Sequence, residues 1–210
     1  MYLPAHFEEA RPEVLHQALR DHPLGLLITQ DASGLVANQI PFLIELEPDG
    51  TQVLRGHVAR ANPVWREARC DVESLVVFQG PQAYISPSWL ATKAQDGKVV
   101  PTWNYVMVQA RGTLRAIDDA AWVHALVTRL TERHESTRAQ PWAVSDAPKD
   151  YIATMLRAIV GIEIPLSSLI GKWKLSQNKS SADREGIAQG LAERDETRAL
   201  GELARRFGAS

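Results

Sequence analysis

The chain has 210 residues, is 45% hydrophobic and 23% charged, and carries a formal net charge of −2. That composition supports a packed globular core and excludes an overall basic field, so any nucleic-acid contact would need a local patch. A single cysteine, Cys70, excludes an internal disulfide and a cysteine-rich metal site.

No apolar run approaches the roughly 20 residues of a membrane span. The opening, with Pro4, His6, Glu8 and Glu9, lacks a basic region followed by an apolar one, so a cytoplasmic protein is expected. Pro12 to Asp21 reads as a helix: Pro12 suits a first turn, Leu15, Ala18 and Leu19 share a face, and Pro23 stops it. Leu24 to Thr29 is an apolar run too short for a typical helix. Asp31-Ala32-Ser33-Gly34 turns it into a second run, Leu35 to Leu46, which Pro41 should bend or place at an edge. Glu47-Pro48-Asp49-Gly50 is a strong turn, and Thr51 to Val58 forms the third strand.

That strand ends in Gly56-His57-Val58-Ala59-Arg60-Ala61-Asn62-Pro63. A helix over Pro63 to Arg69 is expected, with Asn62 as its N-cap. Unpaired N–H groups there, together with the Arg60 fork, suit an anion; a plain capped helix with an exposed Arg is the competing reading. Ser74 to Gln79 is a further strand, turned by Gly80-Pro81 into Ala83-Tyr84-Ile85, and a polar loop runs from Ala91 to Lys98.

Pro101 then delivers Thr102, Trp103, Asn104 and Tyr105 into the clearest strand of the chain. Val106, Val108, Ala110, Gly112 and Leu114 face one way, and Gln109, Arg111, Thr113 and Arg115 the other. The Thr102–Tyr105 corner offers a flat ligand a stacking surface with amide and hydroxyl partners; it equally suits an aromatic core cluster. Six candidate strands in the first 117 residues, joined by hairpin-length connections, favour a closed or nearly closed antiparallel barrel, and no Gly-x-Gly-x-x-Gly follows any strand.

Asp118 is placed as the cap of a helix carrying Trp122, Leu126 and Leu130, and a second helix begins near Pro148 and ends at Gly161. Val160, Ile162, Ile164 and Leu166 alternate as a final strand. In Gly171-Lys172-Trp173-Lys174-Leu175-Ser176-Gln177-Asn178 the two lysines share one side of an extended segment, an arrangement that suits phosphate or simple solvent exposure. Ser180 and Asp183 cap a helix to about Leu191, and Leu200, Leu203 and Phe207 mark a last one. The tail interleaves Arg with Glu and Asp, which favours a solvated face over a stripe that tracks phosphates.

None of the six histidines has a zinc-ligand spacing, so no metal is expected, and no nucleophile elbow is present. Any chemistry would therefore come from a cofactor. His57 is the histidine best placed for function, although a hydrogen-bonded structural role fits it as well.

Several of these stretches, in order, resemble the PaiB-type family of FMN-binding split-barrel proteins: Met1 to Phe7, Gly56 to Pro63, Phe78-Gln79-Gly80-Pro81, Tyr84 to Trp89, Pro101 to Tyr105 and Gly171 to Asn178. In bacteria that family is associated with negative regulation of protease synthesis and sporulation, and the resemblance implies such a role here. The resemblance implies a mainly β fold with helices, a six-stranded antiparallel split barrel over residues 1–178 with a helical extension over 179–210. It also implies a homodimer with FMN at the subunit interface, and a DNA or regulatory protein partner. Asn38 and Gln39 would lie along the isoalloxazine, and His57, Arg60 and Asn62 near the phosphate with Lys172 and Lys174. Thr102, Trp103, Asn104 and Gln177 complete the implied cofactor-binding set. The chain departs from the family pattern at Gln82, often His, and Leu90, often Tyr. An FMN-dependent oxidoreductase reduced by a nicotinamide cofactor is the alternative reading from the wider fold.

Overall fold

A computed structural model describes residues 1–207. Its helices are α1 (Pro12–Asp21), α2 (Val64–Glu67), α3 (Thr92–Gln95), α4 (Ala120–Glu135), α5 (Lys149–Arg157), α6 (Ser181–Ala192) and α7 (Asp195–Phe207). The strands are β1 (Glu8–Glu9), β2 (Leu24–Asp31), β3 (Gly34–Pro41), β4 (Leu43–Leu46), β5 (Gln52–Ala59), β6 (Ser74–Ile85), β7 (Thr102–Gly112), β8 (Arg115–Ile117) and β9 (Ile159–Lys174). They form one open sheet in the order β3-β2-β6-β7-β9-β5-β4, with β1 and β8 also paired to β9. The fold is the antiparallel split barrel expected, but with nine strands among the described residues instead of six. The short β1 and β8 carry too few residues to show a period of two.

The chain divides into two compact units. One comprises Met1–Ala18, Gln79–Val108 and the residues from Ile170 onward; the other comprises Leu19–Phe78 and Gln109–Leu169. β6, β7 and β9 contribute residues to both.

In the second unit β2 pairs with β3 through the Gly34 turn, where φ is +121°. Leu27, Leu54, Val76, Ile162 and Ile164 are fully buried, and Phe42 meets Phe78 edge-on at 6.0 Å. α4 lays Leu126 and Leu130 against Leu43 of β4, with Trp122 beside them. Gly161 seats that indole, since a Cβ there would stand 2.3 Å from the ring. Arg55 gathers Glu163 (2.8 Å), Glu45 (2.6 Å) and Glu47, tying β4, β5 and β9 together.

In the first unit β1 pairs with β9 in the register Glu8 to Lys172. α6 packs on the Pro87–Trp89 turn through two glycines: a Cβ on Gly186 would lie 1.9 Å from the Trp89 carbonyl oxygen, and one on Gly190 would lie 2.3 Å from the indole. Asp183, buried beside them, accepts from the Thr92 backbone N–H (2.9 Å) and hydroxyl (2.7 Å). Those two hydrogen bonds, the amide first, hold its carboxyl below the ordinary value of 3.8.

Five local expectations are corrected. Gly80 and Pro81 do not turn the chain: β6 runs unbroken through them, and positive φ among described glycines occurs only at Gly34, Gly50 and Gly97. Asp119, not Asp118, caps α4 by accepting from Trp122 N–H at 2.7 Å. The helix expected from Pro63 shortens to the four residues of α2, and the loop 91–98 holds the short α3. Finally, β9 continues past Leu166 to Lys174, so the lysine pair belongs to a sixteen-residue strand.

Candidate functional site

The residues expected at the cofactor fall into two groups, each within one unit. The first group stands where β7 begins and β9 ends. The alternation of β7 sends Asn104 to the same buried side as Val106 and Val108, and Thr102 and Trp103 lie at its mouth. Lys174 Nζ donates to Thr102 Oγ1 and to the Trp103 carbonyl, both at 2.6 Å. Lys172, only 8% exposed, donates to the Tyr2 carbonyl at 2.9 Å and lies 5.5 Å from both the Tyr2 and Tyr105 ring centres. Neither lysine meets a carboxylate among the described residues. Burial pushes the Lys174 ammonium below its ordinary 10.5, and the neighbouring Lys172 charge adds to this against an opposing contribution from Tyr105.

A buried cation without a carboxylate is costly unless something anionic or polar offsets it. Asn104 adds a second unmet demand. It is fully buried, its Oδ1 accepts from Ser176 Oγ at 3.0 Å, and its Nδ2 has no hydrogen-bond partner. Gln177 is committed locally, accepting from Leu175 N–H at 2.8 Å and donating to the Trp173 carbonyl at 2.6 Å. Beside the cluster Trp103 and Tyr84 are about half exposed and meet edge-on at 6.1 Å. Gln82 is exposed, whereas Leu90 is buried at 5% exposure.

The second group gathers at the end of β5. Asn62 Nδ2 donates to Asn38 Oδ1 (2.8 Å), and Asn62 Oδ1 accepts from Val64 N–H (3.0 Å), leaving Asn38 Nδ2 buried without a partner. Gln39 is exposed on β3. Arg60 is not a free fork. It grips Asp118 through two hydrogen bonds (2.8 and 2.6 Å) and donates to the carbonyls of Arg157 (2.8 Å) and Ile159 (3.2 Å). With Trp65 Nε1 donating to its own carbonyl, Arg60 joins three segments of this unit and leaves little donor capacity for a phosphate.

His57 lines a cavity of about 290 Å³ with Pro41, Leu130, Thr131, His134, Glu135 and Trp142. Burial holds its imidazole below the ordinary 6.5. The folded chain therefore resists a proton that the unfolded chain accepts: the contribution of this residue is fully present above pH 6.5 and is lost as pH falls from there through the lower folded value. Denaturation at stepped pH should show His57→Gln losing less stability than the wild type between pH 6.5 and 5; equal slopes would place the coupling on another group.

Sequence reasoning missed Ser176, Tyr2 and the Arg60–Asp118 pair. Ser176 has no compositional cue for a left-handed backbone, and the other two interactions link residues far apart in sequence.

Comparison with known proteins decides the family. Residues 1–168 match the family model described as "Putative FMN-binding domain". The chain belongs to this PaiB-like FMN-binding family. An uncharacterized protein of Emericella nidulans is 35% identical over 91% of this chain and 90% of its own length. The Protease synthase and sporulation protein PAI 2 of Bacillus subtilis is 29% identical over 91% and 89%. Among solved structures, the FAD and heme binding protein from Mycobacterium smegmatis superposes with a TM-score of 0.58 at 17% identity, covering 87% of this chain and 80% of that one. The flavocytochrome Anf3 from Azotobacter vinelandii gives 0.56 at 13% identity, covering 80% and 69%. These two likenesses establish the split-barrel fold.

FMN is the cofactor of this family, and the first group fits it chemically. Two ammonium groups without carboxylate partners match a phosphate, and a buried amide N–H without an acceptor matches a carbonyl or hydroxyl oxygen. Among the described residues no helix is long and apolar enough to cross a membrane.

Proposed function

We infer that this chain is a cytoplasmic FMN-binding protein that works as a homodimer with the flavin at the subunit interface, and that its role is regulatory in the PaiB manner. The observation that carries the flavin site is the pair Lys172 and Lys174, convergent and without carboxylates, beside the buried Asn104 amide. In this reading the lysines hold the phosphate, Asn104 meets a flavin or ribityl acceptor, and Trp103 offers a stacking face. Arg60 and Asn62 shape the β5 end without touching the phosphate, which matches their internal hydrogen bonds. The regulatory part is supported by the 29% identity to the sporulation protein of Bacillus subtilis.

Bound FMN would supply reversible one- or two-electron redox chemistry. A second reading, an FMN-dependent oxidoreductase reduced by a nicotinamide cofactor, is supported by the half-exposed Tyr84–Trp103 pair, an open aromatic surface on which a second ring could stack. The FMN-loaded protein separates the two. Flavin that stays oxidised under NADH and NADPH, with a salt-sensitive gel shift of promoter DNA or capture of a regulatory protein, is the expected result. Rapid bleaching by either nucleotide, with no such partner, would replace the regulator by the enzyme.

A further inference from the structure

Ser176 is the only non-glycine residue with positive φ, +65°, among the described residues. A serine in the left-handed region is uncommon, and such outliers persist where surrounding structure over-determines them. Here the surroundings are explicit. Gln177 bridges Leu175 N–H and the Trp173 carbonyl, and the Ser176 carbonyl accepts from Lys179 N–H at 3.0 Å. Glycine would take this conformation at no steric cost.

What the serine adds is its hydroxyl, buried and 3.0 Å from Asn104 Oδ1. An Asn side chain can present either its oxygen or its amine in a given direction. Ser176 Oγ holds one end of the carboxamide by donating to its oxygen, and the amine at the other end of this fully buried residue meets no acceptor in the chain. A buried donor left unpaired costs more than a hydrogen bond returns, and an acceptor on a ligand bound beside the lysines would offset that cost.

Building on the flavin reading above, we propose that Ser176 is a positioning residue: its hydroxyl fixes the Asn104 carboxamide so that Nδ2 donates to a carbonyl or hydroxyl oxygen of the bound flavin. The strained turn after β9 and the start of β7 thus form one device, with the lysines on the phosphate and the amide on the ring or ribityl chain.

The test titrates FMN into wild type, Ser176→Gly and Asn104→Asp, and records the visible spectrum of the bound flavin and the melting temperature of each apoprotein. Ser176→Gly keeps the turn and removes the hydroxyl. Its melting temperature should stay within about 3 °C of wild type, because relief of the left-handed backbone offsets the lost hydrogen bond, its Kd for FMN should rise about tenfold, equivalent to about 1.4 kcal/mol, and the bound-flavin spectrum should shift. Asn104→Asp keeps the oxygen facing Ser176 and replaces the donor by an acceptor, so it should bind at least as weakly. Wild-type affinity and spectrum in both variants would overturn the proposal. So would a loss of affinity in Ser176→Gly matched by a loss of apoprotein stability, because that marks a purely structural role. If the wild type itself takes up no FMN, the flavin reading fails and this inference with it, an outcome distinct from the other two.

Discussion

Replacing Lys172 and Lys174 together by Gln is expected to weaken FMN binding about a hundredfold while leaving riboflavin binding within about twofold, since each charge-assisted hydrogen bond contributes about 1.5 kcal/mol or more and each tenfold needs about 1.4. Riboflavin lacks the phosphate, so the ratio of the two affinities isolates the contacts made to that group. The apoprotein should not lose stability. Neither lysine forms an ion pair among the described residues, and Lys174 already feels the repulsion of Lys172. Glutamine can keep one hydrogen bond to the Tyr2 or Trp103 carbonyl, which keeps those segments tied to β9. Parallel fluorescence titrations check this; a double variant that still discriminates FMN from riboflavin would move the phosphate to another cation.

Gly186→Val is expected to lower the melting temperature by about 6–12 °C, corresponding to about 3 kcal/mol of overpacking. The cause is geometric. The first side-chain carbon would stand 1.9 Å from the Trp89 carbonyl oxygen, a backbone atom that cannot rotate away, and the indole already fills the space over Gly190. α6 would have to lift off the Pro87–Trp89 turn and take the Asp183–Thr92 hydrogen bonds with it. Gln189→Ala, on the exposed side of the same helix, serves as the control and should melt within about 1 °C of wild type, as surface substitutions do. A valine variant as stable as the wild type would mean that residues past Ser180 contribute little to the packing of this unit.

Much of this was legible in local sequence. Pro12 and Pro23 bracket α1, and its bounds, Pro12–Asp21, agree with the reading from those prolines. The period of two in Val106, Val108 and Ala110 is matched by their burial at 3, 1 and 0% exposure. Local signals failed where a distant partner overrode them. Gly80-Pro81 is a strong turn pair in isolation, yet it stays extended inside the twelve-residue β6. Asp118 is a good cap by composition, but Arg60, 58 residues away, claims its carboxylate and the cap passes to Asp119. The same pairing changes how Arg60 reads: the fork suited to phosphate in sequence is filled by Asp118 and two carbonyls. Lys172 and Lys174 moved the other way, because burial without carboxylates is visible only in three dimensions.

The proposed function places FMN between two copies of this chain, held through cations on β9. The most direct measurement is a titration of the wild type with FMN, with the mass of the assembly in solution determined at each point. The account predicts saturation at one flavin per chain in a particle of twice the chain mass of 23.3 kDa. A particle of single-chain mass, or one that takes up no FMN at millimolar excess, would contradict it.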